Sequence, residues 1–345
     1  MKMEKRRFVL TICGAFVSLM LSSCGSNPSN PTNATNTAAP QKSSTESSTK
    51  VALLTPGDIN DQGWNQLAWE GLQNLKQSGV ETAHQVTKNA ADQQPALRDF
   101  GDKKFDLVLC HGYEYGERVL TLAKKYPDTN FVVVAGNVQQ ASNVASLVPK
   151  LEDATYLLGM AAGALTKTNT VGLIGGMKLP VVASTFIAFE QGAKATNPKV
   201  RVLTNYVGNF EDQNAAKEAT RQMIAQGADV FFHNADQAGK GMFDAAQEAG
   251  KVLVFGSNRN QNQMAPDACV ASAVIDMPHA FDELFKNVQN KTFKSGLIEL
   301  NLANNNIAVE WNDKLKSRLP AAAMKKIEGA QAKIKAGTLK IKRNV

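Results

Sequence analysis

Four cysteines and four histidines in 345 residues leave little material for several kinds of chemistry. The histidines, at 84, 111, 233 and 279, show no metal-ligand spacing, and neither C-x-x-C nor H-E-x-x-H occurs. Also absent are G-x-S-x-G, G-x-x-x-x-G-K-[ST] and G-x-G-x-x-G, so sequence support is missing for a nucleophile elbow, a phosphate loop and a dinucleotide fingerprint. No nucleophile, base and orienting group can be assembled by spacing. The chain reads as a non-enzyme that needs no cofactor or metal. No helix-turn-helix precedes the body, which argues against a transcription regulator.

A membrane-spanning run is missing too, since a bilayer takes about 20 apolar residues. The most apolar stretch, residues 8–21, has 14. It follows Lys2, Lys5, Arg6 and Arg7 and precedes Ser22-Ser23-Cys24, the layout of a secretory signal. Leu21-Ser22-Ser23-Cys24 resembles a bacterial lipobox. Residues 1–23 are therefore expected to be cleaved, and Cys24 to be acylated and held in a lipid bilayer. Residues 25–49 contain no Val, Ile, Leu or aromatic side chain, too little apolar surface to offset the entropy of ordering. With Cys24 they form a linker, 24–49, and the plan is that of an extracytoplasmic, membrane-anchored lipoprotein.

Acidic residues are nearly missing from one end. The chain carries +7 overall, but 314–345 holds ten Lys or Arg against Glu328 alone, or +9. Residues 1–23 hold +3, which leaves −5 on 24–313. A nucleic-acid groove interleaves basic with aromatic residues, and no aromatic follows Trp311. The basic end reads as a solvated helix face, with attraction to anionic headgroups or a partner as the alternative; nucleic acid is not expected. Once Cys13 leaves with the signal and Cys24 is acylated, only Cys110 and Cys269 stay in the body. Two cysteines without a spacing signature read as buried thiols.

What is present is an alternation. Short apolar, β-branched runs recur at 51–54, 105–109, 131–134, 171–174, 200–203, 229–232, 252–255 and 270–275. Between them lie helix-period segments at 64–77, 114–125, 153–165, 181–195, 212–225, 237–249 and 278–288. This pattern calls for an α/β fold of parallel sheets covered on both faces by helices. Nearly 300 residues suffice for two lobes with separate cores. The expected division is 50–165 plus about 258–289 for one lobe, and 166–257 plus about 290–345 for the other.

Ligands of open parallel sheets sit beyond the carboxyl ends of the strands. The segments after six of these runs each combine Gly with amide, carboxylate or aromatic side chains. They carry Asp61, Trp64 and Asn65; His111, Gly112 and Tyr113; Gly175 and Gly176; Phe210; His233 and Asp236; and Asn258. Six such loops on one edge suggest a cleft for a small planar or hydroxyl-rich solute. Asp61 and Asp236 each precede a helix, so each is a helix cap or a ligand acceptor. Trp64, at a helix start beside Gly63, is expected to stack on the ligand. Asn65 offers a donor and an acceptor to a heterocycle edge. His111 and His233 read as histidines bonded to backbone.

Three blocks carry a family resemblance: VALLTPGDINDQGWNQLAWEGL, HGYEYGERVLTLAKKYPDTNFVVVAGN and YVGNFEDQNAAKEATRQMIAQGADVFFHNADQAG. Their order and spacing resemble the basic membrane protein family of bacterial solute-binding lipoproteins, over residues 51–280. The resemblance implies a two-lobed periplasmic-binding-protein fold serving an ABC-type importer through its permease, as a monomer. It also implies a purine held between aromatics of the two lobes. Trp64 and Phe210 match those aromatics, with Asp61, Asn65, Gly112, Tyr113, Asp236 and Asn258 around them. One loop departs from the pattern. Where nucleoside binders often read Gly-x-Asp-x-Asp, this chain has Gly256-Ser257-Asn258-Arg259-Asn260, which weakens the grip on a ribose and leaves base or nucleoside open. A sugar-binding protein of the same fold, or a signalling or structural lipoprotein, is the alternative.

Overall fold

The computed structural model describes residues 49–140 and 142–343. The expected signal peptide, Cys24 and nearly all of the linker lie outside the described residues. The strands of the first half are β1 (Lys50–Thr55), β2 (Glu81–Val86), β3 (Leu107–His111), β4 (Asn130–Val134), β5 (Val144–Pro149) and β6 (Thr170–Gly175). Then come β7 (Arg201–Tyr206), β8 (Val230–Asn234), β9 (Leu253–Gly256), β10 (Cys269–Ile275), β11 (Gly296–Leu300) and β12 (Ile307–Trp311). The helices are α1 (Trp64–Gln77), α2 (Ala90–Asp102), α3 (Gly116–Ala123), α4 (Glu152–Leu165), α5 (Pro180–Thr196), α6 (Gln213–Ala225), α7 (Lys240–Ala249), α8 (Met277–Gln289), α9 (Asp313–Lys316) and α10 (Ala321–Lys335).

They build two six-stranded sheets, ordered β11-β5-β4-β3-β1-β2 and β12-β10-β9-β8-β6-β7. Every pairing is parallel except β12 against β10. The inner strands are apolar on both faces because helices cover both: all of β3 and β8, and β1 from Val51 onward, are buried. The fold is the two-lobed α/β architecture expected from the sequence. Strands β2 and β7 lie at sheet edges, where one side meets water, and their mixed exposure follows from that place.

The chain crosses between lobes three times, and the crossings are tied together. β5 passes into α4 where the Lys150 N–H donates to the Leu300 carbonyl at 2.7 Å. β10 passes into α8 where the Asp276 N–H donates to the Asn306 carbonyl at 2.8 Å. The third crossing, 301–306, joins β11 to β12 and supplies the Asn306 carbonyl and, at its start, the neighbour of Leu300. The division of the chain differs from the sequence expectation at three elements. α4 packs against α5, β10 and β12, so 152–165 belongs with the second sheet. β10, expected in the first lobe, is a strand of the second; β11, expected in the second, joins the first sheet; and α8 packs on α1, in the first lobe as expected. A sequence read by periodicity identifies such elements but carries no signal of which sheet each one joins.

The basic end folds onto the second lobe: α10 packs on α4, and Gln191 of α5 exchanges two hydrogen bonds with the Lys342 backbone. Arg343 then pairs with Glu152 at 2.7 Å, beside the first crossing. Cys110 and Cys269 are free, buried and in different sheets. Burial pushes both thiols up, that of Cys269 to about 12.

Helices α4 and α5 cross closely, and glycine makes the approach possible. A Cβ on Gly159 would stand 2.0 Å from the Phe189 carbonyl oxygen, and one on Gly192 would stand 1.9 Å from that of Tyr156. Neither backbone can yield without parting the helices. Gly192→Val should therefore cost at least about 2 kcal/mol, read as a lower urea midpoint with an unchanged m-value. An unshifted midpoint would show that the crossing is not tightly packed.

Candidate functional site

The carboxyl ends of β1 and β3 in one lobe, and of β8 and β9 in the other, meet around the start of α1. A helix start exposes backbone N–H groups with no partner inside the helix. Asp61, buried, takes two of them, accepting from the Asn65 N–H at 2.8 Å and the Gln66 N–H at 3.0 Å. It also accepts from the Gly63 N–H at 2.9 Å and from the Asn65 side-chain amide at 2.9 Å. All four bonds serve the turn itself, so Asp61 is a helix cap and an anchor for Asn65. The Trp64 N–H has a different acceptor. It donates to Asp236 Oδ1 at 3.3 Å, across the seam from the second lobe. Gly63 permits this approach, because a Cβ there would lie 2.9 Å from the same oxygen.

Trp64 is half-buried at this seam. One face of its indole is covered by the His111 ring, with centroids 4.0 Å apart and planes 25° from parallel. The same imidazole donates from Nε2 to the Trp64 carbonyl at 2.9 Å, since a carbonyl can only accept. Burial holds the His111 pKa down to about 3, which keeps the ring neutral near pH 7. Asn65 is buried beneath, and its Oδ1 has no partner. A buried acceptor without a donor costs about 1–3 kcal/mol, so this oxygen marks a place where a donor fits.

On the second lobe Asp236 has a positive φ of 45° and Asn258 one of 68°. The Asn258 amide donates to Asp236 Oδ1 at 3.0 Å. Burial first, then the nearby Asp61 carboxylate, raises the Asp236 pKa. Phe210 is half-buried over Gly176, where a Cβ would collide with its ring at 2.2 Å. Its carbonyl accepts from the Ala238 N–H at 2.9 Å, which ties it to the Asp236 turn. Gly112 leaves space for the Glu114 carboxylate, which burial also raises. Tyr113 points away from this cluster in its bonding: it is 50% exposed, and among the described residues it makes no ring contact.

The geometry thus joins Asp61, Trp64, Asn65, Asp236 and Asn258 through direct hydrogen bonds, and links Phe210 through backbone. It leaves Gly112 and Tyr113 beside the group without a direct bond to it. The sequence reading passed over His111 as the ring partner of Trp64. It also passed over Gln62, Glu70, Arg259 and Gln261, which meet across the seam. Gln261 lies in a loop already singled out, but nothing in the sequence pairs it with Gln62. Among the described residues no group of His, Cys, Asp and Glu is arranged to hold a metal, and no helix is long and apolar enough to cross a membrane.

The family model described as "ABC transporter substrate-binding protein PnrA-like" matches residues 48–345. The chain belongs to this family. Among its Bmp relatives, a CD4+ T-cell-stimulating antigen of Listeria monocytogenes is 32% identical over 273 residues, 75% of this chain and 74% of that protein. An ABC transporter nucleoside-binding protein BmpA of Lactococcus lactis is 31% identical over 229 residues, 62% of this chain and 65% of that one. An ABC transporter solute-binding protein from Aeropyrum pernix superposes with a TM-score of 0.77 at 20% identity, covering 86% of this chain and 94% of the other. One from Conexibacter woesei superposes at 0.69 with 25% identity, covering 86% and 99%.

The two buried histidines make the body acid-sensitive. His233 is neutral as well: its Nε2 donates to Gln261 Oε1 at 2.8 Å, and burial lowers its pKa to about 4. Unfolded, each would titrate near 6.5. Between that value and the folded pKa the unfolded chain binds the extra proton, so stability is present above pH 6.5 and is lost as pH falls below it. At pH 5 each histidine should cost roughly 2 kcal/mol relative to pH 7. Protonation of the raised Asp236 and Glu114 carboxyls acts in the opposite direction, so urea unfolding of the parent and of His233→Asn at both pH values isolates the histidine share; a variant with the parent's pH dependence would contradict the neutral, buried assignment.

Proposed function

We propose that this ABC-type solute-binding protein takes a purine base or nucleoside in the seam between its lobes, with Trp64 as the stacking face. The carrying observation is the position of Trp64: it sits at the seam with its backbone bonded to the opposite lobe, beside the unpartnered Oδ1 of buried Asn65. An exocyclic amine or ring N–H of a purine would supply the missing donor, while the ring lies flat on the indole. Phe210 approaches from the second lobe, and Asp236 and Asn258 supply polar contacts. Gly112 and Tyr113 border the site.

The chemistry of grip follows from these groups. Stacked aromatic pairs contribute about 0.5–1.5 kcal/mol beyond the area they bury. A wrong heterocycle edge would leave Asn65 unpaired and lose about 1–3 kcal/mol. A ligand touching both lobes only when they are shut shifts the population toward closure. The name of the Lactococcus relative, a nucleoside-binding protein, supports the purine class. The absence of carboxylates from the 256–260 loop supports a weak hold on a ribose. In this reading acylated Cys24 tethers the protein at the outer face of the membrane, where the closed form is read by a permease.

Calorimetry with adenine, guanine, their nucleosides and glucose tests the reading. A purine should bind and glucose should not, and Trp64→Ala should weaken the purine at least about tenfold with the unfolding midpoint retained. Unchanged purine affinity in that variant would remove Trp64 from the site.

A further inference from the structure

The contacts across the seam include a group that need not touch a solute. The loop after β9 reaches over α1 with Arg259 and Gln261. Arg259 Nη2 donates to Glu70 Oε1 at 2.6 Å, and the Gln66 side-chain amide steadies the same oxygen at 3.1 Å. Gln261 is buried, and every polar atom of its side chain is used. Its Oε1 accepts from His233 Nε2 and from the Ser257 N–H, both at 2.8 Å. That leaves Nε2 only one direction, and it donates to the Gln62 carbonyl of the first lobe at 3.0 Å. Gln62 itself has φ 54°, an uncommon conformation for a side-chain-bearing residue, which turns its carbonyl to this amide.

We propose that Arg259 and Gln261 form a closure clasp, which holds the two lobes shut by contacts between protein groups and so sets how readily the site closes. His233 is a positioning residue in it, since its Nε2–H fixes which end of the Gln261 amide faces the other lobe. The proposal rests on the seam being the solute site, and not on which solute enters. Three physical features carry it. Both bonds join residues about 190 or more apart in sequence, from loops of opposite lobes. The ion pair is partly buried, with side chains 25% and 39% exposed, so it is screened less than a surface pair. The Gln261 amide is preorganised by its own lobe, so closing orders little that was free. A clasp of this kind would add to ligand affinity from outside the ligand contacts, by raising the fraction of molecules already competent to bind.

Single-molecule distance measurement tests it. The chain from residue 25 onward, whose body is one compact unit from Ser47 to Val345, would carry dyes at Glu117→Cys in α3 and Asp244→Cys in α7, both exposed and on opposite lobes. The native Cys110 and Cys269 are buried and would not be labelled. Without any solute the parent should show a short and a long distance. Arg259→Gln and Glu70→Gln should each lower the short-to-long ratio by about threefold to tenfold, and the double variant should lower it no further. Gln261→Glu, which keeps both acceptors but has no donor for Gln62, should lower it as well. A parent showing only the long distance, variants with an unchanged ratio, or additive effects of the Arg259 and Glu70 changes would overturn the clasp. If the ratio responds as expected while no purine binds, the clasp stands and the ligand assignment falls.

Discussion

The first turn of α1 is the constraint on which the seam depends. Its exposed N–H groups are met by two carboxylates that belong to different lobes: Asp61 takes those of Asn65 and Gln66, and Asp236 takes that of Trp64. A helix start is a favourable place for negative charge, and here that charge is divided so that one share is present only when the lobes meet. The arrangement fixes Trp64 at the boundary. Its backbone faces Asp236, one ring face rests on His111, and Asn65 is pinned below by the same Asp61 that caps the helix. Moving any one of these would move the others.

Two carboxyl groups near one another and away from water cannot both ionise freely. Asp61 accepts four hydrogen bonds; burial, and then the neighbouring Asp61 carboxylate, raises the Asp236 pKa. The neutral histidines extend the same economy of charge. Each donates one ring N–H to a fixed oxygen and keeps its other nitrogen bare and buried. Among the described residues the cross-lobe ion pair Arg259 to Glu70 lies at the partly exposed margin of the seam.

Much of this was legible in the sequence, for identifiable reasons. Doubly covered strands are apolar throughout, so β1, β3, β4, β6, β8, β9 and β10 stood out as runs, and α1 was bounded correctly at Trp64 and Gln77. Of the edge strands β7 was read in part, as the run 200–203, but the others were not legible in the same way. β2, Glu-Thr-Ala-His-Gln-Val, has one apolar residue at its end and half-exposed sides, and β11 and β12 lie at sheet margins too. Helix α2 was hidden by its polar face and by Pro95 inside it. At the site, Asp61, Trp64, Asn65, Asp236 and Asn258 were marked by type and by place after a strand. Their partners were not: the His111 ring on Trp64 and the Gln261 amide on Gln62 are meetings of distant segments, and a single sequence holds no record of distance. The lobe assignments of α4, β10 and β11 failed for the same reason, since periodicity reports an element and not its neighbours.

The central claim is that a flat heterocycle lies on the Trp64 indole between the lobes. A crystal structure of the mature chain grown with a purine nucleoside tests it most directly. The account predicts a purine ring parallel to that indole, with a ring N–H or exocyclic amine within about 3.2 Å of Asn65 Oδ1 and Asp236 on the far side. A nucleoside bound elsewhere, or one in the seam with its ring edge-on to Trp64 and Asn65 still unpaired, would contradict it.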